Sequence, residues 1–283
     1  MITQIETNNY CNHRCWYCQN AHYKIPRPKV MGLELFEYVL KEISKTYARE
    51  DLNIISFAAY NEPTLDPHFK QRLRMLTGLG YRYWFISNGS HLTVDLIDFM
   101  IQEQISILSF LFNVPAIEPA AFKEAAQVSA ENIFPIRDNI IHLLKNWKNP
   151  STEITVVVHG DQGEKHQCNF ERMCRFFEPF DVNIAFGPVM NRAGMLNDVV
   201  NQAVDHHTDN LACAADYFNN IYVGVEGNLY LCCHDYYQKH SFGNLKDTPL
   251  NVLMASEKRY VTINNFKKEF CRYCPFAYPN SIR

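Results

Sequence analysis

The stretch that most constrains this chain is Cys11-Asn12-His13-Arg14-Cys15-Trp16-Tyr17-Cys18. Its cysteines stand at C-x₃-C-x₂-C, directly after a short apolar run from Ile2 to Thr7. Four thiolates are the usual protein complement of a [4Fe–4S] cluster. Three can hold three irons and leave the fourth iron for another ligand. The competing reading is zinc, but a structural zinc site normally closes four ligands, often with a distant second pair.

The rest of the cysteine pattern supports a metal protein over a disulfide scaffold. Ten cysteines in 283 residues would suit a disulfide framework only in a short secreted chain. Seven of the ten fall into two groups, one near each end. Cys168 and Cys174 lie in a helix-like middle segment and are expected to be buried packing residues. With 47% hydrophobic residues the chain can bury a substantial core. The net charge of −3 comes without a long basic block, which points away from nucleic acid and membrane surfaces. No signal pattern precedes Cys11 and the apolar runs are strand-length, so a cytoplasmic protein with no membrane span is expected.

Strand and helix patterns alternate. Strands are expected over Thr3–Asn8, Asn53–Ala59, Tyr81–Ser87, Ile105–Asn113, Glu153–His159 and Asp181–Val189. Helices are expected over Leu33–Ala48, His68–Leu79, Thr93–Gln104, Glu131–Trp147 and Gln167–Phe177. Gly80 is a plausible C-cap, Thr93 a possible N-cap, and Pro135 marks a first turn or a kink. Such alternation means parallel βαβ units. Six units over about 190 residues are near the ~31 residues per unit of an eight-fold barrel. The expected fold is therefore α/β, an open (β/α)₆ partial barrel with its chemistry at the C-terminal strand ends. A boundary is expected near residue 200, giving a barrel over 1–200 and a second domain over 201–283. That domain reads as a hairpin, Asn220–Val225 and Gly227–Cys232, then a helix from Pro249 to Ile263.

The cysteine loop, with an aromatic residue just before its last Cys, resembles the radical S-adenosylmethionine (SAM) superfamily. The resemblance implies that Cys11, Cys15 and Cys18 ligate the cluster and that SAM chelates the open iron. The second strand ends in Ala58-Ala59-Tyr60-Asn61-Glu62-Pro63. There the family usually has Gly-Gly-Glu-Pro or a Tyr-containing variant that binds the SAM amino group through backbone oxygens and the Glu. Ala59, Asn61 and Glu62 are thereby assigned to SAM. Ser87-Asn88-Gly89, similar to the family's Thr-Asn-Gly, assigns Ser87 and Asn88. Asn113 at the fourth strand end and Tyr17 beside the adenine complete the set.

Cys213, Gly227-x₄-Cys232 and Cys271-x₂-Cys274 resemble the shortened SPASM domain called twitch. These four thiolates are expected to close one auxiliary [4Fe–4S] cluster, since a full SPASM domain needs further cysteines after Cys274. Zinc accepts four cysteines equally well, so spacing alone leaves that alternative open. Glu6-Thr7-Asn8, the Cys15–Asn20 block and Asn191-Arg192-x-Gly194-x-Leu196 are similar to the twitch-containing aminocyclitol dehydrogenases of butirosin-type biosynthesis. The resemblance implies substrate contacts at Arg192, Tyr60, Cys233 and His234. In those dehydrogenases the last two positions are Phe-Glu, and a Ser stands where this chain has Ala21.

The implied activity is a radical SAM oxidoreductase. An electron from the reduced cluster breaks SAM to methionine and a 5′-deoxyadenosyl radical, which abstracts a substrate hydrogen. The auxiliary cluster takes the remaining electron, and a small polar metabolite such as an aminocyclitol or sugar is oxidised. The implied reductant is a flavodoxin- or ferredoxin-type donor. Two alternatives stand beside this reading: crosslinking or epimerisation of a ribosomally made peptide, with Cys233 as hydrogen donor, and a non-catalytic iron–sulfur or zinc protein.

Overall fold

The computed structural model describes residues 2–23, 27–48, 54–58, 60–200 and 204–280. In chain order the elements are β1 (Ile2–Ile5), α1 (Gln19–His22), α2 (Leu33–Thr46), β2 (Ile54–Ser56), α3 (Phe69–Gly78), β3 (Arg82–Ser87), α4 (Val94–Gln102), β4 (Ile107–Asn113), α5 (Pro119–Ala126) and α6 (Ile133–Asn146). They continue with β5 (Glu153–Gly160), α7 (Glu164–Phe177), β6 (Asn183–Pro188), β7 (Leu211–Cys213), β8 (Ile221–Val223), β9 (Asn228–Tyr230), β10 (Gly243–Asn244), α8 (Leu250–Met254), α9 (Glu257–Glu269) and β11 (Ala277–Pro279). This is an α/β fold with a mostly parallel sheet, as the alternation of patterns requires. Among the described residues no helix is long and apolar enough to cross a membrane.

The chain divides into two compact units. One comprises residues 8–30 and 54–189. Its strands run β2-β3-β4-β5-β6, each pair parallel. An aromatic core lies under the sheet: Phe57 meets Tyr83 at 4.6 Å between ring centroids, Phe85 meets Phe110 at 5.3 Å, and Trp147 meets Phe110 edge-on at 4.9 Å. Offset and edge-on rings add to area burial in this way. Thr93 caps α4, its hydroxyl accepting from the Leu96 amide at 3.3 Å. Pro135 falls in the first turn of α6, where a missing N–H costs nothing. Gly80 follows α3 with φ +74°, the left-handed exit that glycine permits.

The other unit comprises residues 1–7, 31–53 and 190–283. Here β8 pairs parallel to β1, and the order runs β10-β9-β8-β1. Helix α2 buries Phe36, Val39, Leu40 and Ile43, one stripe at helical spacing. The β8–β9 hairpin turns at Gly227, whose φ of +90° disfavours any side chain; an added Cβ would also sit 3.2 Å from Asn244 Oδ1. A short antiparallel ladder joins β7 to β11 and so fixes Cys213 opposite Ala277.

Three local expectations need correction. The helix expected from Pro249 to Ile263 is two helices. Ser256 ends the first and caps the second, its hydroxyl accepting from the Arg259 amide at 3.2 Å, and α9 runs on to Glu269. Helix α5, unforeseen, begins with Pro119 in its first turn. Cys168 and Cys174 are half-buried on α7 and do not enter the core.

Candidate functional site

The loop carrying Cys11, Cys15 and Cys18 is built from hydrogen bonds to three neighbouring segments. The last turn of α5 leaves carbonyls without intrahelical partners. Two of them receive the loop: Arg14 N–H donates to Ala126 O at 3.0 Å and Trp16 N–H to Ala125 O at 3.1 Å. Asn8 ties the start of the loop to the turn after β2, donating from Nδ2 to Tyr10 O and Glu62 O, both at 3.1 Å. Asn61 in turn donates to Asn8 Oδ1 at 2.8 Å, and Asn20 donates to Tyr60 O. Ala59 lies outside the described residues.

Glu62 is the hub of the strand ends. It is 1% exposed and its carboxylate takes four donors. Thr64 gives its amide at 3.1 Å and its hydroxyl at 2.5 Å; Ser87 gives its hydroxyl at 2.8 Å; Asn88 gives its amide at 2.7 Å. Three of these donors converge on Oε1 and the Asn88 amide alone takes Oε2, which keeps an acceptor position. Burial still raises its pKa, against the pull of these donors. Asn88 then reaches the cysteine loop, donating from Nδ2 to Asn12 Oδ1 at 2.9 Å with Cys11 Sγ at 3.6 Å. Gly89, at φ +78°, lets the chain turn away after it.

The three cysteines form no disulfide and are half-buried. Burial raises Cys11, helped by the Glu62 charge, and pushes Cys15 to about 12, helped by Cys18. The His13 amide donates to Cys11 Sγ at 3.4 Å. Tyr17 is buried, and its ring lies 5.2 Å from that of His159. His159 at the end of β5 is 3.1 Å from Asn113 Oδ1 through Nε2. Tyr17, Asn113 and His159 therefore form one row. His159 gave no sequence signal, because a lone histidine at a strand end matches no motif.

The C-terminal cysteines meet at one small, largely apolar cavity. Cys213, Cys232, Cys271 and Cys274 all line it, with His234, Ala193 and the rings of Tyr217, Phe218, Phe266 and Phe270. Four thiols around one apolar space are a donor set that fits a [4Fe–4S] cluster. Among the described residues no three His, Cys, Asp or Glu side chains close on one point as ligands of a single ion do. A cubane spreads its thiolates over separate irons. Burial pushes Cys271 to about 12 and raises Cys274 and Cys232. The cavity takes its wall from Cys232 and His234, while Cys233 sits beside them. Its thiol is drawn well below the usual range by a hydrogen bond with Cys232, then by His234 and Arg192.

Arg192 and Ala193 both take left-handed backbone, φ +51° and +56°, ahead of Gly194 at +85°. Non-glycine residues adopt this conformation at a cost of about 1–3 kcal/mol and cluster at functional sites. The turn is held to the last cysteine pair: Asn191 Nδ2 donates to Tyr273 O at 3.3 Å, and a Cβ on Gly194 would sit 3.1 Å from Tyr273 Cβ. The Glu6-Thr7-Asn8 segment puts a buried carboxylate in the same unit. Glu6 is pushed to about 7 by burial, opposed by Gln238, which donates at 2.8 Å, and by the Val225 amide.

Comparison with known proteins follows this geometry. A family model described as the radical SAM superfamily matches residues 5–166, and one described as an iron–sulfur cluster-binding domain, SPASM, matches residues 213–275. A tungsten-containing aldehyde ferredoxin oxidoreductase cofactor-modifying protein from Pyrococcus furiosus is 26% identical over 110 residues, which is 39% of this chain. The chain spans 30% of that relative's length. The fold is shared with BtrN in complex with AdoMet and 2-DOIA, at TM-score 0.60 and 18% identity over 99% of this chain and 94% of that one. It is shared too with Streptococcus suis SuiB bound to precursor peptide SuiA, at TM-score 0.65 and 12% identity over 94% of this chain and 66% of that one. AnSMEcpe with bound AdoMet and Cp18Cys peptide matches at TM-score 0.62 and 14% identity, over 97% and 86%.

Proposed function

Because the chain belongs to the radical SAM superfamily and carries a SPASM domain that binds an auxiliary iron–sulfur cluster, we propose that it oxidises a small polar metabolite of aminocyclitol or sugar type. Together the [4Fe–4S] clusters and SAM supply one-electron chemistry that removes a substrate hydrogen. The observation that carries the finer reading is the closed four-cysteine cavity with the strained Arg192–Gly194 turn at its wall.

The residues divide the work. Cys11, Cys15 and Cys18 hold the SAM-binding cluster; Cys213, Cys232, Cys271 and Cys274 hold the auxiliary one. Glu62, hydrogen-bonded to Thr64, Ser87 and Asn88, fixes the loop that meets SAM and keeps an acceptor position on Oε2. Backbone oxygens of the turn around Tyr60 and Asn61 would accept from the SAM amino group. Tyr17, Asn113 and His159 flank the adenosine. Arg192 orients the substrate: a guanidinium offers a rigid fork to vicinal hydroxyl or amino groups, and orientation of one C–H bond decides the outcome. The domain boundary near residue 200, the cytoplasmic location and a flavodoxin- or ferredoxin-type reductant belong to the same reading.

A second reading is modification of a ribosomally made peptide. The Cys233 thiol beside the auxiliary site favours it, as does the likeness in fold to SuiB with its precursor peptide. One experiment separates the two. Reconstituted enzyme is given SAM, dithionite and ring-deuterated aminocyclitols or sugars. Deuterium in 5′-deoxyadenosine, with a ketone product, is expected. Deuterium transfer only from labelled peptides would overturn the metabolite reading.

A further inference from the structure

The auxiliary cavity has a polar side chain that four-thiol ligation leaves unused. His234 is 1% exposed and lines the cavity with the four cysteines. Among the described residues neither Nδ1 nor Nε2 has a nitrogen or oxygen partner, and only the adjacent Cys233 thiol draws on the ring. A neutral imidazole carries one N–H donor and one acceptor. A buried ring nitrogen left unmet costs its desolvation, and such groups in folded proteins call for an explanation.

The surroundings narrow that explanation. Tyr217 and Phe276 each sit 5.9 Å from the imidazole, one tilted and one edge-on, so the ring is wedged between two aromatics. Phe218, Phe266 and Phe270 supply the rest of the apolar wall. The His234 main chain already serves a sulfur, its amide donating to Cys232 Sγ at 3.4 Å. Besides His234, the polar side chains lining the cavity are the four cysteines and Tyr217.

We propose that the imidazole N–H of His234 hydrogen-bonds the sulfur shell of the auxiliary cluster and raises its reduction potential. One-electron reduction adds negative charge that the sulfurs share, so an N–H donor favours the reduced form. Hydrogen bonds to the sulfurs and burial are the protein's levers on such potentials. In this shell the aromatic walls disfavour added charge, and His234 is the side chain that offsets them. It is a positioning and tuning residue: it touches neither SAM nor the substrate in this scheme. The inference rests on the auxiliary site holding an iron–sulfur cluster, and it revises the expectation that His234 contacts substrate.

The test is an EPR-monitored potentiometric titration of the holoenzyme, with the auxiliary signal identified as the one lost in the Cys271→Ala/Cys274→Ala variant. His234→Phe is expected to keep wild-type iron and to lower the auxiliary midpoint by about 59 mV, a tenfold loss in reduction equilibrium for one electron. His234→Gln keeps an N–H donor and should stay closer to wild type. Wild-type protein carrying ¹⁵N-histidine should give the weak nitrogen coupling of a hydrogen bond in pulsed EPR, whatever the variants do. Equal midpoints in all three proteins would overturn the proposal. So would loss of four irons in His234→Phe with strong nitrogen coupling in the wild type, since His234 would then be a ligand. Failure of the underlying reading looks different: zinc in place of iron in the wild-type protein, and no signal lost with Cys271 and Cys274.

Discussion

Cys11, Cys15 and Cys18 come from one loop of eight residues, whereas Cys213, Cys232, Cys271 and Cys274 are gathered from distant parts of the C-terminal sequence. The first set is held by polar groups: the Asn88 amide, the α5 carbonyls, and the network centred on Glu62. The second is held in an aromatic shell of Tyr217, Phe218, Phe266 and Phe270. A common detail stresses the contrast. In each set one sulfur accepts the amide of the residue two positions on, His13 for Cys11 and His234 for Cys232, both at 3.4 Å. A site that must exchange a polar ligand such as SAM needs donors and acceptors at hand. A site that only passes electrons is better closed, with its potential set by burial and a few N–H groups.

The largest expected effect breaks one side of this comparison and spares the other. Changing Cys11, Cys15 and Cys18 together to Ala should cut iron from about eight to about four atoms per chain and abolish 5′-deoxyadenosine formation. Changing Cys271 and Cys274 to Ala should also leave about four irons but preserve SAM cleavage, with product formation lost. Iron analysis and chromatography of both variants check this, and equal behaviour of the two would erase the distinction.

Arg192 sharpens the comparison from the substrate side. Arg192→Ala should keep both clusters and SAM binding yet lower product formation by about 100-fold, the scale of a small misplacement of a reacting group. Uncoupled SAM cleavage should fall far less. Arg192→Lys should recover little if the contact is a two-pronged one. The ratio of product to 5′-deoxyadenosine is the readout, and a wild-type ratio in Arg192→Ala would make this residue a turn-former alone.

The smallest expected effect concerns Glu6, which joins β1 to the segment after the hairpin through Gln238. Its carboxyl is raised from 4.5 to about 7, so the folded chain holds an extra proton between those values. Stability should therefore fall as pH rises through that window, by about 3 kcal/mol in all. Glu6→Gln should flatten the profile and raise stability at pH 8. Urea midpoints at pH 5.5 and 8 measure it; parallel profiles would mean that Glu6 does not govern the slope.

What the sequence makes legible follows from how local each signal is. The cysteine loop declares itself because ligand spacing is written in eight adjacent residues. Thr93, Pro135 and Gly227 act on their own turns and could be placed without the fold. Helix α5 was missed although Pro119 stood at its start, because eight residues rich in Ala give weak periodicity. The segment from Pro249 to Ile263 reads as one helix because a capping Ser256 looks in sequence like a Ser within a helix, and only its hydroxyl bond to the Arg259 amide separates the two. The pairing of β8 with β1 and the Glu6–Gln238 contact join residues more than two hundred positions apart. His159 and His234 are single residues whose meaning lies in their neighbours. Glu62 reads as a SAM contact, and four hydrogen bonds from Thr64, Ser87 and Asn88 also make it a support of the strand ends.

The most direct test of the division between an open and a closed site uses the Cys271→Ala/Cys274→Ala protein, in which only the N-terminal cluster remains. Reduced with dithionite, it should give a [4Fe–4S]⁺ EPR signal whose g-values shift when SAM is added, as the proposed open iron of a cluster on Cys11, Cys15 and Cys18 requires. A spectrum unchanged by saturating SAM, or a protein without iron, would contradict the account.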